Sequence, residues 1–214
     1  MTALALPRPC LMLVTDRALL GSSGDRLIDA VAAAVEGGVN AVQLREKDLA
    51  PAELLRLAGQ LRAAIGGSTL LIVNGNADVA CDAQVDGLHL PADAPFARPD
   101  GVPLVGRSVH SVDAAVRAER EGADYLIAGP IYETPSHPGV PAAGVRLISG
   151  AVAAVSVPVV AIGGIRAARV QGVLSAGAGG VAVISAVLGA ESPREAASAL
   201  REALEVAPLR AAER

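Results

Sequence analysis

The chain has 214 residues, enough for one domain that buries about 70% of its unfolded surface. It is 52% hydrophobic but only 1% aromatic, so its core must be built from Ala, Val, Leu and Ile, the residues of buried parallel strands and the helices that cover them. A net charge of −4 and a pI near 5.4 exclude the broad basic surface that nucleic acid or anionic membrane would need, and leave room for a local basic pocket.

The chain opens with Pro7 and Pro9 and has no basic segment followed by an apolar run, which argues against a signal peptide and for a cytoplasmic protein. A first strand is predicted over 10–15 and a helix over 26–36. Gly37-Gly38 closes that helix and leads into a second strand over 41–45. The strand ends in Gln43-Leu44-Arg45-Glu46-Lys47. Strand side chains alternate, so Gln43, Arg45 and Lys47 share one face while Leu44 and Glu46 share the other. A guanidinium fork beside a compact ammonium suits phosphate or carboxylate, although a solvated strand end would read the same way.

Further along, a helix over 51–65 precedes strands over 70–74 and 87–91, the first ending in Asn74. The segment 92–102, rich in Pro and Asp, is the least regular unit, with room for one helical turn or for a helix just before the next strand. A strand over 104–110 carries Ser108 and His110 on one face, with Gly106 beside them. His110 can both donate and accept protons near neutral pH. His89, inside the fourth strand, reads instead as a buried imidazole with a hydrogen-bonded partner. A helix over 112–121, a strand over 125–129 and a loop with Thr134, Ser136 and His137 follow; His137 reads equally as a lid residue or as plain surface.

The eighteen residues 148–165 carry no charge, but Pro158, Gly163 and Gly164 divide them into a helix end, a strand over 158–162 and a glycine turn rather than a membrane span. A helix over 166–176, a strand over 180–185 and a helix over 193–206, with Ser192 as cap and Pro193 at its first position, complete the pattern. Eight βα units in one chain predict a single-domain (β/α)8 TIM barrel over 1–214, ordered over about 10–206, with an open doubly wound sheet as the weaker choice. Gly163 and Gly164 after the seventh strand, with Ile184 and Ser185 at the eighth, match the usual phosphate site of such barrels. Cys10 and Cys81 lack metal spacing, and no metal site is expected from the residues.

Several motifs in register then carry a resemblance across nearly the whole chain. These are Gln-Leu-Arg-Glu-Lys at 43–47, Val-Asn-Gly at 73–75, Asp-Gly-Leu-His-Leu at 86–90, Gly-Arg-Ser-Val-His-Ser at 106–111, Ala-Asp-Tyr-Leu at 123–126, Gly-Pro-Ile-Tyr-Glu-Thr at 129–134, Ala-Ile-Gly-Gly-Ile at 161–165 and Val-Ile-Ser-Ala at 183–186. They resemble the superfamily of thiamine phosphate synthases and TenI-type thiazole tautomerases. The resemblance implies that the barrel handles small phosphorylated pyrimidine or thiazole precursors of thiamine, here a phosphorylated thiazole substrate, and forms an assembly such as a homodimer or higher homo-oligomer; the charge balance leaves no nucleic acid or membrane partner.

Its two branches differ in chemistry. A synthase joins hydroxymethylpyrimidine diphosphate to thiazole phosphate and uses Mg2+ on carboxylates. Here Gly75 and Ala94 stand where the resemblance places those carboxylates, with Asp93 adjacent, and His137 stands where it places a pyrophosphate-binding Lys. On those departures the expected activity is thiazole tautomerase, an isomerase without a cofactor. His110 would be its acid/base, Ser108 and Asn74 would orient the ring, and Gln43, Arg45, Lys47, Thr134 and Ser136 would bind substrate. Thiamine phosphate synthase, with Mg2+, is the alternative, and a non-catalytic barrel that binds a thiamine precursor is the third reading.

Overall fold

The computed structural model describes residues 4–134 and 139–206. Eight parallel strands close into a barrel in sequence order: β1 (Cys10–Val14), β2 (Ala41–Leu44), β3 (Leu70–Asn74), β4 (Gly87–Leu90), β5 (Leu104–Val109), β6 (Tyr125–Ala128), β7 (Val159–Ile162) and β8 (Gly180–Val183), with β8 pairing back to β1. Closure excludes the open sheet. Most strands stop one or two residues before the expected end.

The helices of the described residues are α1 (Gly24–Glu36), α2 (Pro51–Ile65), α3 (Ala77–Asp82), α4 (Val112–Glu121), α5 (Val145–Ala154), α6 (Ala167–Ser175), α7 (Ser185–Leu188) and α8 (Pro193–Val206), with a 3-10 turn at Arg17–Leu20. The Ser192 hydroxyl accepts the Glu195 N–H at 3.3 Å, as the Ser-Pro signal predicts. Gly38 (φ +105), Gly122 (φ +104) and Gly177 (φ +99) take the left-handed conformation that ends α1, α4 and α6. No helix lies between β4 and β5, contrary to expectation. Pro95, Pro99 and Pro103 remove three N–H donors from that segment. Instead Phe96 packs on the outer core, and Arg107 holds the segment by donating to the carbonyls of Ala92 (2.9 Å) and Ala94 (2.6 Å).

The core has two layers. Outward strand residues such as Leu11, Leu44, Val73, Leu126 and Val181 pack under the helices. Inward residues, among them Met12, Ile72, Leu104, Tyr125, Val160 and Ala182, fill the barrel. At the N-terminal face, the residue just before β2, β4 and β6 clips the preceding strand through its side chain. Asn40 Oδ1 accepts from Leu11 N (2.9 Å), Asp86 Oδ2 from Leu71 N (2.8 Å) and Asp124 Oδ2 from Val105 N (2.7 Å). Helix and loop arginines complete two of these clips, Arg62 on Asp86 and Arg98 on Asp124. Two of the sequence motifs, Asp-Gly-Leu-His-Leu and Ala-Asp-Tyr-Leu, thus contain the aspartates that hold the closed barrel in register, far from the mouth. Among the described residues no helix is long and apolar enough to cross a membrane.

Candidate active site

A cavity of about 460 Å3 opens at the carboxyl ends of the strands, within the size range of small-molecule sites. Its wall includes Gln43 on β2 with Arg45 and Lys47 just beyond it, Asn74 on β3, Ser108 on β5 with His110 just beyond it, Thr134 after β6, Gly163 and Gly164 after β7, and Ile184 and Ser185 after β8. Every expected site residue within the described residues is therefore brought to one mouth. Ser136, like His137, lies outside the described residues. The period of two along β2 works as expected. Leu44 packs in the outer layer, and Glu46, on the far face, accepts the Arg17 N–H through both carboxylate oxygens (3.1 and 3.2 Å). Burial pushes the Glu46 carboxyl above its usual pKa.

The β2 wall is ordered from below. Gln43 Nε2 lies 3.7 Å from Met12 Sδ, and Gln43 Oε1 accepts from Asn74 Nδ2 at 3.2 Å. The Thr15 hydroxyl accepts the Arg45 N–H at 2.9 Å. Arg45 and Lys47 have no ion-pair partner among the described residues, which leaves two cations facing the cavity with Asp93 as its one carboxylate.

Across the mouth, Gly163 (φ +100) and Gly164 (φ +62) form a turn that only glycine fits. A Cβ on the first would lie 2.7 Å from Pro130 Cα, and on the second 2.5 Å from the Glu133 carbonyl oxygen. Arg169 holds this turn, donating to the Gly164 carbonyl at 2.6 Å while stacking on the Tyr132 ring. The N–H groups of Gly163 and Gly164 have no acceptor among the described residues and border the cavity, an arrangement suited to an anion.

His110 Nδ1 lies 2.5 Å from the Gly129 carbonyl oxygen, so Nδ1 donates to that carbonyl and Nε2 is the ring nitrogen left without a partner among the described residues. His89, read as a buried and partnered imidazole, is 1% exposed, with Nε2 at 2.9 Å from Ser108 Oγ and Nδ1 at 3.2 Å from Tyr125 Oη. Burial, helped by the charges of Arg107 and Arg45, pulls its pKa down to about 3. Tyr125 and Thr15 are the supports that sequence reasoning missed. The only available signal for Tyr125 was Gly106, its register partner on β5.

A metal cage does not fit these walls. Among the described residues Asp93 is the one carboxylate at the cavity, and there is no cluster of three His, Cys, Asp or Glu side chains able to hold an ion. At Gly75 (φ +73) a Cβ would meet nothing nearer than Pro91 Cγ at 3.8 Å, so it is the left-handed backbone rather than crowding that favours glycine there.

A closed parallel barrel with a polar, cation-bearing cavity at its strand carboxyl ends defines a (β/α)8 barrel of the enzyme kind. Residues 11–187 match the family model described as thiamine monophosphate synthase, and the chain belongs to that family. It is an enzyme of thiamine biosynthesis. It is 43% identical over 205 residues to the thiamine-phosphate synthase of Methanoculleus marisnigri, covering 92% of this chain and 96% of that one. It is 40% identical to the thiamine-phosphate synthase of Roseiflexus castenholzii, covering 90% and 87%. The solved thiamine phosphate pyrophosphorylase from Pyrococcus furiosus superposes with a TM-score of 0.80 at 35% identity, covering 92% and 95%.

These relatives overturn the expected thiazole tautomerase and, with it, the isomerase class. Over most of their lengths the chain follows proteins named as synthases. The tautomerase expectation rested on a few substituted positions, Gly75, Ala94 and His137, against a similarity that runs through the whole barrel.

Proposed function

We propose that this chain is a cytoplasmic thiamine-phosphate synthase, a transferase that joins hydroxymethylpyrimidine diphosphate to thiazole phosphate. The thiazole nitrogen forms a bond to the pyrimidine methylene carbon as the bond from that carbon to the diphosphate oxygen breaks, and pyrophosphate leaves with the electron pair. The observation that carries the reading is the similarity to named synthases over nine-tenths of the chain, joined to a mouth where Arg45 and Lys47 stand without ion-pair partners among the described residues.

In this reading the open N–H groups of Gly163 and Gly164, with Ile184 and Ser185, hold the thiazole phosphate. Arg45 and Lys47 neutralise charge on the departing pyrophosphate. Gln43, Asn74, Ser108 and Thr134 orient the heterocycles so that nitrogen and carbon meet in line. His110, held through Nδ1 by the Gly129 carbonyl, places Nε2 at the rim. The donor set gives no carboxylate cage for Mg2+, so the neutralising charge is assigned to the chain's own cations.

The test is direct. Purified protein given both precursors should form thiamine phosphate and pyrophosphate in equal amounts, read by chromatography and a phosphate assay. Absence of thiamine phosphate when both precursors demonstrably bind would sink the proposal.

A further inference from the structure

Ser108 is the only cavity hydroxyl among the described residues that rests on a buried imidazole, and that imidazole rests in turn on a buried phenol. Tyr125 is fully buried, and His89 is its one hydrogen-bond partner among the described residues. A neutral imidazole carries one proton, and its location decides the sense of the whole chain.

If Nδ1 carried that proton, the hydrogen of the fully buried Tyr125 hydroxyl would have no acceptor among the described residues, His89 being its one neighbour in hydrogen-bond range. If the phenol donates to Nδ1, every group is satisfied. Nε2 then carries the proton and donates to Ser108 Oγ, and the Ser108 hydrogen is released toward the cavity.

We propose that Tyr125 and His89 are positioning residues that set Ser108 as a hydrogen-bond donor, so that this wall of the site aims a hydrogen at a heterocycle presenting an acceptor atom there. Resting on the proposed synthase reading only for the identity of the ligands, the inference deepens that site with a stated polarity. The fold supports the device physically. His89 pairs in register with Gly106, and Gly106 with Tyr125, so the three strands bring phenol, imidazole and hydroxyl into one line across the inside of the barrel. A protonated imidazole would also donate to Ser108 but would lose the phenol as a donor, and the burial of His89 keeps that form away at neutral pH.

The experiment has two arms. Two-bond proton–nitrogen correlation spectra of the 15N-labelled full chain report which His89 nitrogen is protonated. The expected result is Nε2, and finding the proton on Nδ1 overturns the proposal whatever the protein binds. In the second arm, wild type, Tyr125→Phe, Ser108→Ala and the double variant are titrated calorimetrically with thiazole phosphate, hydroxymethylpyrimidine diphosphate and inorganic phosphate.

Tyr125→Phe should weaken the heterocycle that meets Ser108 by about fivefold to tenfold, the worth of one neutral hydrogen bond. The same substitution should do nothing further once Ser108 is Ala, and phosphate affinity should be alike in all four proteins. An equal loss in both backgrounds, or a parallel loss of phosphate affinity, would mean a purely structural role and overturn the proposal. Should neither heterocycle bind the wild type, it is the synthase reading that falls, and the nitrogen spectra alone then decide the polarity.

Discussion

Tyr125 occupies the space that a side chain on Gly106 would fill: a Cβ at Gly106 would lie 2.0 Å from Tyr125 Cζ. The glycine on β5 is thus the seat of the largest side chain inside the barrel, and the ring in turn carries the phenol that meets His89. Gly106→Ala should therefore displace the ring and lower stability by about 3 kcal/mol, at the upper end of overpacking costs. Urea denaturation measures this, and an unchanged midpoint would show that the ring has other room.

Acid should weaken the fold through His89. Its folded pKa of about 3 lies below the unfolded value of 6.5, so between those limits the unfolded chain binds a proton that the folded chain does not. The stabilisation is present in full above pH 6.5 and is lost as pH falls toward 3, at up to about 1.4 kcal/mol per pH unit from this one group. The difference in unfolding free energy between wild type and His89→Gln, followed from pH 7 to pH 4.5, should narrow or invert as pH falls; a constant difference would contradict the account.

Arg45 is anchored through its backbone by Thr15 while its side chain lines the cavity. Arg45→Gln should raise KM for the diphosphate substrate about tenfold or more, the cost of a charge-assisted hydrogen bond, with little change in thermal stability. Steady-state kinetics and a melting curve separate the two, and a large loss of stability with unchanged KM would refute the assignment.

With one carboxylate at the mouth, the free protein should bind divalent ions poorly. Titration with Mn2+ followed by electron paramagnetic resonance should leave the free-ion signal undiminished at millimolar metal. A stoichiometric loss of signal would reveal donors that the described residues do not supply.

Cys10 is fully buried, and burial raises its thiol to about 12, whereas Cys81 is exposed. A thiol reagent at pH 8 should label Cys81 alone in the native protein and both residues in denaturant. Rapid labelling of Cys10 would mean that β1 opens readily at the bottom of the barrel.

The barrel was legible because periodicity is a local property. Eight short apolar runs separated by amphipathic stretches and closing glycines can be read without knowing any neighbour, and the polar ends of β2, β3 and β5 mark themselves by interrupting those runs. The segment after β4 was less legible. Its prolines announced irregularity, but the link from Arg107 to Ala92 and Ala94 joins a strand to a loop thirteen and fifteen residues away, which no local pattern records. The clips by Asn40, Asp86 and Asp124 were visible as residues and invisible as functions, since each acts on a strand other than the one it precedes. A few substituted positions also misled. Gly75, Ala94 and His137 pointed away from the synthase relatives that the whole chain follows.

By itself, then, the amino-acid order determined the number of strands, their burial on both faces, and which side chains share a face, because alternation and helical period are written along the chain. Only the tertiary structure decided which groups become partners. The closed barrel sets β4, β5 and β6 in register, and that juxtaposition turns an ordinary strand histidine into the link between a buried phenol and a hydroxyl at the site. Hydrogen-bond direction depends on a neighbour's unmet valence, and residues 89, 108 and 125 become neighbours only when the barrel closes.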